Sequence, residues 1–557
     1  MGRPPTVCFC KTTQTPCHAG QTTHIVYDIS PLPRFNLDQP HNAPQKSLTS
    51  VVDMTDNYCM APIASLQQED REYFRILTEF AFRNPFEKKS LGLAYQIAGG
   101  KYPVGKQLSS KVFGKIQQRI GQATSGGKYN WKDFSGEDRD LVRMALLHDS
   151  YDRCHALFDD LILKQINKEQ SDPDVPFARE TLLLLRQRGF SEEDSCRYFS
   201  FYYQLRRAWY FINDGLIGQN QSMETLRSHL WRSLFTSFPT LYEKVLWDRM
   251  EDFSTFLVGE TGTGKGTAAA AIGRSGFIPF DEKKGCFSES FTSNFIEINL
   301  SQFSESLIES ELFGHRKGAF TGAVENHRGI FARCSRHGSI FLDEIGDVSI
   351  PIQIKLLKVL EERSFSAVGG HDKLHFNGRI ITATNKSLRN LNQKRTFRED
   401  FYYRLCSNVI RVPTLRQQLF EDATTLEALL AHTIQRIAGQ LVPELLDTVL
   451  HTLEREVGPD YQWPGNVREL EQAVRSIILT MHYQSGAGDA VDLIDTLHQS
   501  IEQESLSAQD LVASYCRILY EKYGTYEKVA QITNLDPRTV KKNISKQSPS
   551  TTSQQPY

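Results

Sequence analysis

Two stretches of the sequence carry residue types suited to phosphate chemistry. In FLVGETGTGKGTAAAAIG (256–273), Gly259, Gly262 and Gly264 precede Lys265 between an apolar β-type run and an Ala-rich helical one. This is the spacing of a phosphate-binding loop. Its glycines let the backbone N–H groups around Glu260, Thr261 and Thr263 curl about phosphate oxygens. The helix N-terminus adds partial positive charge, and Lys265 reaches the outer phosphates. A generic loop has Ser or Thr after the Lys as a magnesium ligand; here Gly266 stands there, with Thr267 next. Metal binding therefore leans on the second stretch, GSIFLDEIGD (338–347), an apolar run ending in Asp343 and Glu344. At the edge of a phosphate-binding sheet the first acid holds Mg²⁺ and the second polarises an attacking water. Adjacent acids also occur as plain solvent-facing strand ends. The buried run before them, downstream of a phosphate loop, favours ATP hydrolysis.

Two further stretches point to partners. In GHRKGAFTGAVENHRG (314–329), Phe320 and Thr321 lie between Gly318 and Gly322, with Ala319 and Ala323 beside them. The glycines supply hinges, Phe320 offers apolar contact area and Thr321 can hydrogen-bond a partner. An ordinary β-turn gives no reason for that Phe. Near the C-terminus, YEKYGTYEKVAQITNLDPRTVKKNISKQ (520–547) reads as helix–turn–helix. Val529, Ala530 and Ile532 give its first helix an apolar side, Asn534-Leu535 makes the turn, and Asp536 with Pro537 starts the next helix. There Arg538, Lys541 and Lys542, spaced i, i+3 and i+4, form a basic face fit for a major groove, with Thr539 beside them. A helical hairpin with solvated lysines is the plainer alternative.

These groups need elements to hold them. From about 216 onward, β-type runs alternate with helical patterns: FSTFLVG (253–259), FIEINL (295–300), SIFLDE (339–344) and RIITATN (379–385). Such alternation predicts a parallel α/β sheet. Residues 421–483 read as all-helical, and after a break at 485–492 a last helical module precedes a Ser/Gln/Pro tail. Upstream, residues 1–64 are Pro/Thr/Gln/Asn-rich and loosely ordered in expectation, while 65–213 carry helical periodicity, as in LVRMALLHDSYDRCHALFDDLILKQI (141–166), until Asn213-Asp214-Gly215 breaks it. Asp159 and Asp160 fall inside that helix and read as a solvated face rather than a phosphoacceptor pair.

At 557 residues the chain exceeds one core, so two to four domains are expected. Lys+Arg (64) nearly cancels Asp+Glu (66), so DNA contact must come from a local patch. No apolar run nears the roughly 20 residues needed to span a bilayer, and the N-terminus lacks a signal-peptide pattern. A cytoplasmic protein without a membrane partner is expected. The ten cysteines are mostly scattered, as for reduced thiols. Cys8, Cys10, Cys17 and His18 cluster but lack the paired C-x-x-C of common zinc sites, and read as a polar terminus.

From about 216 to its end the sequence resembles the bacterial enhancer-binding proteins, the AAA+ ATPases that activate sigma-54 RNA polymerase. ESELFGHRKGAFTGA (309–323) holds that family's GAFTGA element unbroken, and FLDEIGD, QIKLLKVLEE, TATN, FREDFYYRL and WPGNVRELE follow in family order. The resemblance implies an α/β chain of several domains: an AAA+ P-loop NTPase subdomain with a parallel sheet (216–415), a helical lid (416–485), a Fis-type helix–turn–helix (505–546) and a tail (547–557); the helical region before it (65–213) is read as a regulatory domain. It implies ATP and Mg²⁺ as cofactors. It also implies that Gly318–Ala323 is the loop tip touching sigma-54. Asn299 matches the Asn that restrains the catalytic glutamate, here Glu344. Thr384 and Asn385 resemble sensor I, and Arg468 resembles sensor II. Arg398 and Arg404 match arginine fingers, which can be worth about 10³–10⁵ in turnover; a salt-bridged surface helix is their plain alternative. Fingers acting in trans imply a ring, commonly hexameric. Remodelling of the polymerase from enhancer DNA is the implied function.

There are departures. Gly266 replaces the family's usual Glu, and GRSGFIPFDEKKGCFSESFTSNF (273–295) is longer than usual by about a dozen residues. The segment before the phosphate loop is extended, and LRQQLFEDATTL weakens the family's LRER pattern. Residues 1–213 do not resemble a receiver domain and are expected to restrain or license the ring.

Overall fold

The computed structural model describes residues 64–123, 130–167, 174–386, 397–483 and 507–545. The Cys8, Cys10, Cys17 and His18 cluster and the C-terminal tail lie outside them. Among the described residues nine strands occur in the order β1 (Thr255–Val258), β2 (Phe280–Asp281), β3 (Cys286–Phe287), β4 (Phe295–Asn299), β5 (Ser339–Asp343), β6 (Ser364–Phe365), β7 (Leu374–His375), β8 (Arg379–Thr384) and β9 (Asn408–Arg411). Five of them form a parallel sheet in the order β4-β5-β8-β1-β9. Each expected run became a strand, and β9, which joins β1 at the edge, was not foreseen. The two short pairs β2–β3 and β6–β7 were not foreseen either.

The central strands are buried along almost their whole length because both faces are covered. One face sends Phe256, Ile340, Leu342 and Ile380 against Leu312, Phe331, Leu356 and Phe401. The other sends Leu257, Phe341, Ile381 and Ala383 against Ala268, Ala269 and Ile272 of the helix after the phosphate loop, Lys265–Gly273. Register then aligns the chemistry. Val258 sits opposite Thr384, and Asn299 opposite Asp343. The C-terminal ends of β1, β5 and β8 thus meet at one sheet edge, where parallel α/β folds place ligands.

The upstream region is helical, as expected: α1 (Gln68–Phe82), α2 (Lys88–Ala98), α3 (Lys106–Ala123), α4 (Gly136–Ile166), α5 (Ala178–Gln187), α6 (Glu192–Trp209) and α7 (Gln221–Phe235). α6 ends in a π-turn, Tyr210–Asp214, at the expected Asn-Asp-Gly break. The break is not a boundary in the core, however. Ala208, Ile212, Leu216 and Met223 pack continuously with Leu230, Ala268 and Ile272. The long insertion after the phosphate-loop helix also belongs to the upstream core: Ile278, Phe280, Phe287 and Phe291 pack with Phe158, Leu182, Phe199 and Tyr203. Asp159 is part-exposed, 38% at its side chain, and both its oxygens accept from Arg206. Asp160 is exposed, as read.

Helices Leu415–Glu421, Thr424–Ala438, Pro443–Glu456 and Asn466–Thr480 form a lid around Leu430, Ile434, Val449, Leu470 and Val474. Three C-terminal helices, Ala508–Tyr523, Tyr526–Thr533 and Pro537–Ser545, share Cys516, Leu519, Val529, Ala530 and Val540. Ile532, expected on the apolar side, is instead 40% exposed, while Val540 of the last helix is fully buried. No helix among the described residues is long and apolar enough to cross a membrane.

Candidate nucleotide site and partner loop

The loop after β1 closes on itself and on the lid. Gly262 and Gly264 adopt φ of +80° and +94°, where a side chain would be strained. A Cβ on Gly262 would also collide with the carbonyl of Gly465, so a glycine is required there twice over. The loop glycine Gly259 is crowded by Thr263 Oγ1 and the backbone of Val412. Lys265 is buried, and its Nζ donates to the carbonyls of Gly259 (3.0 Å) and Glu260 (3.1 Å). Burial lowers its pKa, opposed by the charges of Glu344 and Asp343. Gly266 and Thr267 follow in the first turn of the helix.

At the end of β5, Asp343 Oδ1 accepts from the backbone of Glu344 (3.0 Å). Glu344 lies in the left-handed region, φ +55°, ψ +44°. Burial pushes its pKa up, Asp343 adding to the shift and a backbone hydrogen bond from Asn385 opposing it. That bond, Asn385 N to Glu344 Oε2, is 3.1 Å, and Asn385 Nδ2 donates to Thr261 Oγ1 at 3.3 Å. Asn385 therefore spans from phosphate loop to acid pair, which the strand order β5-β8-β1 makes possible. Thr384 is fully buried, its hydroxyl accepting from Lys386 N. Asn299, expected to hold Glu344, does not do so here. Its Oδ1 accepts instead from Ser301 N and Oγ, because the turn after β4 offers two donors two residues away.

Arg398 forms a two-bond pair with Asp400 (3.0 and 2.6 Å), and Arg404 donates to Leu360 O. Among the described residues neither bonds to the phosphate loop or to Glu344. Arg468 lies at the loop, its Cβ 3.0 Å from where a Cβ on Gly262 would sit. Among the described residues no three His, Cys, Asp or Glu side chains form a metal cage. The donors suit a hard cation that brings phosphate oxygens of its own, with Asp343 as the carboxylate.

Three positions went unread in the sequence. Asn466, fully buried at φ +53°, donates to Thr261 O (3.1 Å) and Glu260 Oε2 (3.2 Å) and accepts from Leu415 N (2.8 Å). Arg416 makes a two-bond pair with Glu260. Lys386 Nζ donates to Gly346 O and pairs with Asp347. The Pro-Gly-Asn of WPGNVREL signals a turn and is the available cue to Asn466.

The partner loop is less free than its glycines suggest. Gly318 N donates to Ala323 O (2.8 Å) and Ala323 N to Phe320 O (3.0 Å), closing the tip. Gly318 and Gly322 hold φ of +82° and +103°. Phe320 is 40% exposed and sets its edge on His315, centroids 4.9 Å apart. Thr321 and Gly322 are exposed, whereas Ala323 is buried. The loop root also pairs with a second segment, through Arg316 N to Val368 O and Val368 N to Gly314 O. After β4, a 3-10 turn (Leu300–Gln302) and helix Glu305–Phe313 lead into this loop.

In the C-terminal trio, Asn534 turns the chain at φ +57° and Asp536 Oδ1 accepts from Arg538 N (2.9 Å), as the sequence suggested. Arg538, Thr539, Lys541 and Lys542 are exposed on the last helix.

A family model described as the sigma-54 interaction domain, which has an AAA+ ATPase fold, matches residues 236–411. Nitrogen fixation protein VnfA of Azotobacter vinelandii is 38% identical over 239 residues, covering 43% of this chain and 42% of that protein. DNA-binding transcriptional regulator NtrC of Azospirillum brasilense is 35% identical over 280 residues, 50% of this chain and 54% of that protein. This chain therefore spans about half the length of these two relatives. Sigma54-dependent transcriptional activator SfnR of Pseudomonas putida is 35% identical over 282 residues, 50% of this chain and 71% of that protein. With its sheet edge, its acid pair and an intact GAFTGA tip in one unit, this chain belongs to the sigma-54-dependent transcriptional activators.

Proposed function

We propose that the protein binds enhancer DNA and uses ATP hydrolysis, in a ring with the hexamer as its expected form, to remodel the sigma-54 RNA polymerase closed complex into an open one. ATP lies on the backbone amides of Gly259 to Thr267, with Lys265 turning from its own loop carbonyls to the outer phosphates. Asp343 would hold Mg²⁺, which would supply charge neutralisation for the phosphates. Glu344 polarises the attacking water, and Asn385 and Thr384 register the outer phosphate. Arg398 and Arg404, bonded among the described residues to Asp400 and to Leu360 O, reach a neighbouring protomer's nucleotide. Arg468 reports nucleotide occupancy to the lid. Asn299, in register with Asp343, exchanges Ser301 for Glu344 in the alternative state. Arg538, Thr539, Lys541 and Lys542 face DNA, so binding falls steeply with salt and Arg538 reads a base.

One observation carries this reading. From the end of β4, the strand beside the acid pair's β5, a 3-10 turn (Leu300–Gln302) and one nine-residue helix, Glu305–Phe313, lead into the loop whose exposed tip is Phe320. Phosphate-dependent rearrangement at Glu344 therefore has a short rigid path to the loop. In reconstituted sigma-54 transcription, Phe320→Ala should keep ATPase activity but lose open-complex formation, while Lys265→Ala loses both. Full activation by Phe320→Ala would sink the reading. Equal, low ATPase rates in wild type and Glu344→Gln would favour a regulator that only assembles on nucleotide.

A further inference from the structure

The helix that begins at Lys265 ends at Gly273, and its exit is capped from outside. Arg207 of α6 donates from Nη1 to Arg274 O and from Nη2 to Gly276 O, both at 2.7 Å. Gln204, one turn earlier on the same face, donates from Nε2 to Ser275 O at 3.1 Å. Three successive carbonyls at the end of this helix are thus satisfied by two side chains of the upstream helical region. Both side chains are buried, Arg207 at 0% and Gln204 at 1% exposure. The guanidinium lies over the Tyr203 ring, 4.3 Å from its centroid, and near Phe291 of the insertion. Gln204 Oε1 is itself held by the Tyr242 hydroxyl at 2.8 Å. Burial pulls the Arg207 pKa down to about 10, so it stays charged at neutral pH. A buried cation at a helix C-terminus complements the helix dipole whose positive end faces phosphate at Lys265. Leaving these carbonyls unpaired in a dry site would be costly.

We propose that Gln204 and Arg207 are positioning residues for the nucleotide site, acting through the far end of the phosphate-loop helix, so that nucleotide binding and the packing of α6 are one coupled equilibrium. The proposal rests on the reading of this loop as an ATP site and names how residues 64–214 regulate it. The upstream region grips the helix from behind the phosphates. Because the caps fix the helix axis, they fix the direction of the loop amides at its other end, about 14 Å away at 1.5 Å per residue. Coupling must be reciprocal: ATP should tighten α6 as much as α6 tightens ATP.

The test uses the full chain, a fluorescent ATP analogue and hydrogen exchange. Arg207→Lys and Gln204→Ala should each raise the analogue's Kd by about five- to tenfold. Peptides covering 265–276 should lose protection in both variants. In wild type the analogue should protect 196–210, and in the variants that protection should fade. Arg206→Lys, on α6 but paired with Asp159 rather than with the helix end, leaves both caps in place and serves as the control, with wild-type Kd expected. Wild-type Kd and unchanged exchange in folded Arg207→Lys and Gln204→Ala would overturn the proposal, as would equal weakening in all three. If Arg207→Lys does not fold, Gln204→Ala decides alone. Failure of the ATP reading itself looks different: wild type and Lys265→Ala would then bind the analogue equally poorly, and the proposal would fall with it.

Discussion

Glu344 combines a left-handed backbone, partial burial and a hydrogen bond accepted from the end of the neighbouring strand, β8. A non-glycine residue there is strained by on the order of 1–3 kcal/mol, and the strand geometry on either side holds it. Its raised pKa means the folded chain grips the proton more tightly than the unfolded chain does. Ionising it therefore costs stability as pH rises from the ordinary carboxylate value through the raised one. Catalysis has the opposite sign, since a base must be ionised. The acidic limb of the ATPase profile should lie above the ordinary carboxylate range, and Glu344→Gln should remove that limb with about a 10²–10⁴-fold fall in turnover. A pH profile that follows an ordinary carboxylate would contradict this. Asp343 and Glu344 were legible as a pair because an apolar run ended in them. Glu344's partner was not: Asn299 is close by in register, yet Asn385 makes the bond, and only the choice among nearby donors settles which.

At the scale of elements, two of the contacts between the lid and the phosphate loop differ in worth. Glu260 and Arg416 are both about two-fifths exposed, 41% and 42%, so their pair contributes roughly 0–1 kcal/mol despite two bonds. Asn466 is fully buried and ties both loop and lid, so removing its amide should cost roughly 1–3 kcal/mol. Chemical denaturation should therefore separate Asn466→Ala, clearly destabilised, from Arg416→Ala, nearly unchanged; the reverse order would refute the ranking. The sequence predicted a lid but not this latch, because Asn466 and Glu260 are 206 residues apart. β9 escaped notice for a different reason: its four residues, Asn408 to Arg411, carry polar ends on an edge strand and show no long apolar run.

Across the whole molecule, the upstream helices and the ATPase sheet share cores rather than meeting through a linker. Removing residues 1–214 would expose Ile278, Phe280, Phe287 and Phe291, all now buried. At about 1.5–3 kcal/mol for each such side chain, the loss rivals the 5–15 kcal/mol that holds an ordinary domain together. A chain beginning at 215 should aggregate or melt far below the intact protein, checked by size-exclusion chromatography and calorimetry. A soluble fragment with an undiminished melting temperature would show that the shared core is dispensable. Acid should act on the same junction. Glu243 is buried and, although burial raises its pKa, hydrogen bonds from Arg143 and Tyr198 win and hold it low. Its contribution to stability is present above the ordinary carboxylate range and lost as pH falls through that lowered value. The melting temperature of Glu243→Gln should therefore change less than wild type's across that window.

The sequence alone determined the chemistry and the local elements. Loop spacing, strand-end acids, the Gly-flanked Phe320 and the Asp536-Pro537 helix start are all short-range patterns, and short-range patterns reflect backbone sterics and periodic burial. Tertiary structure alone decided which groups meet. It placed Asn385 between Thr261 and Glu344, set Asn466 on the loop, and turned an apparent insertion into the seat for α6. Those outcomes depend on strand order and on side chains far apart in the chain, and a linear reading has no term for either.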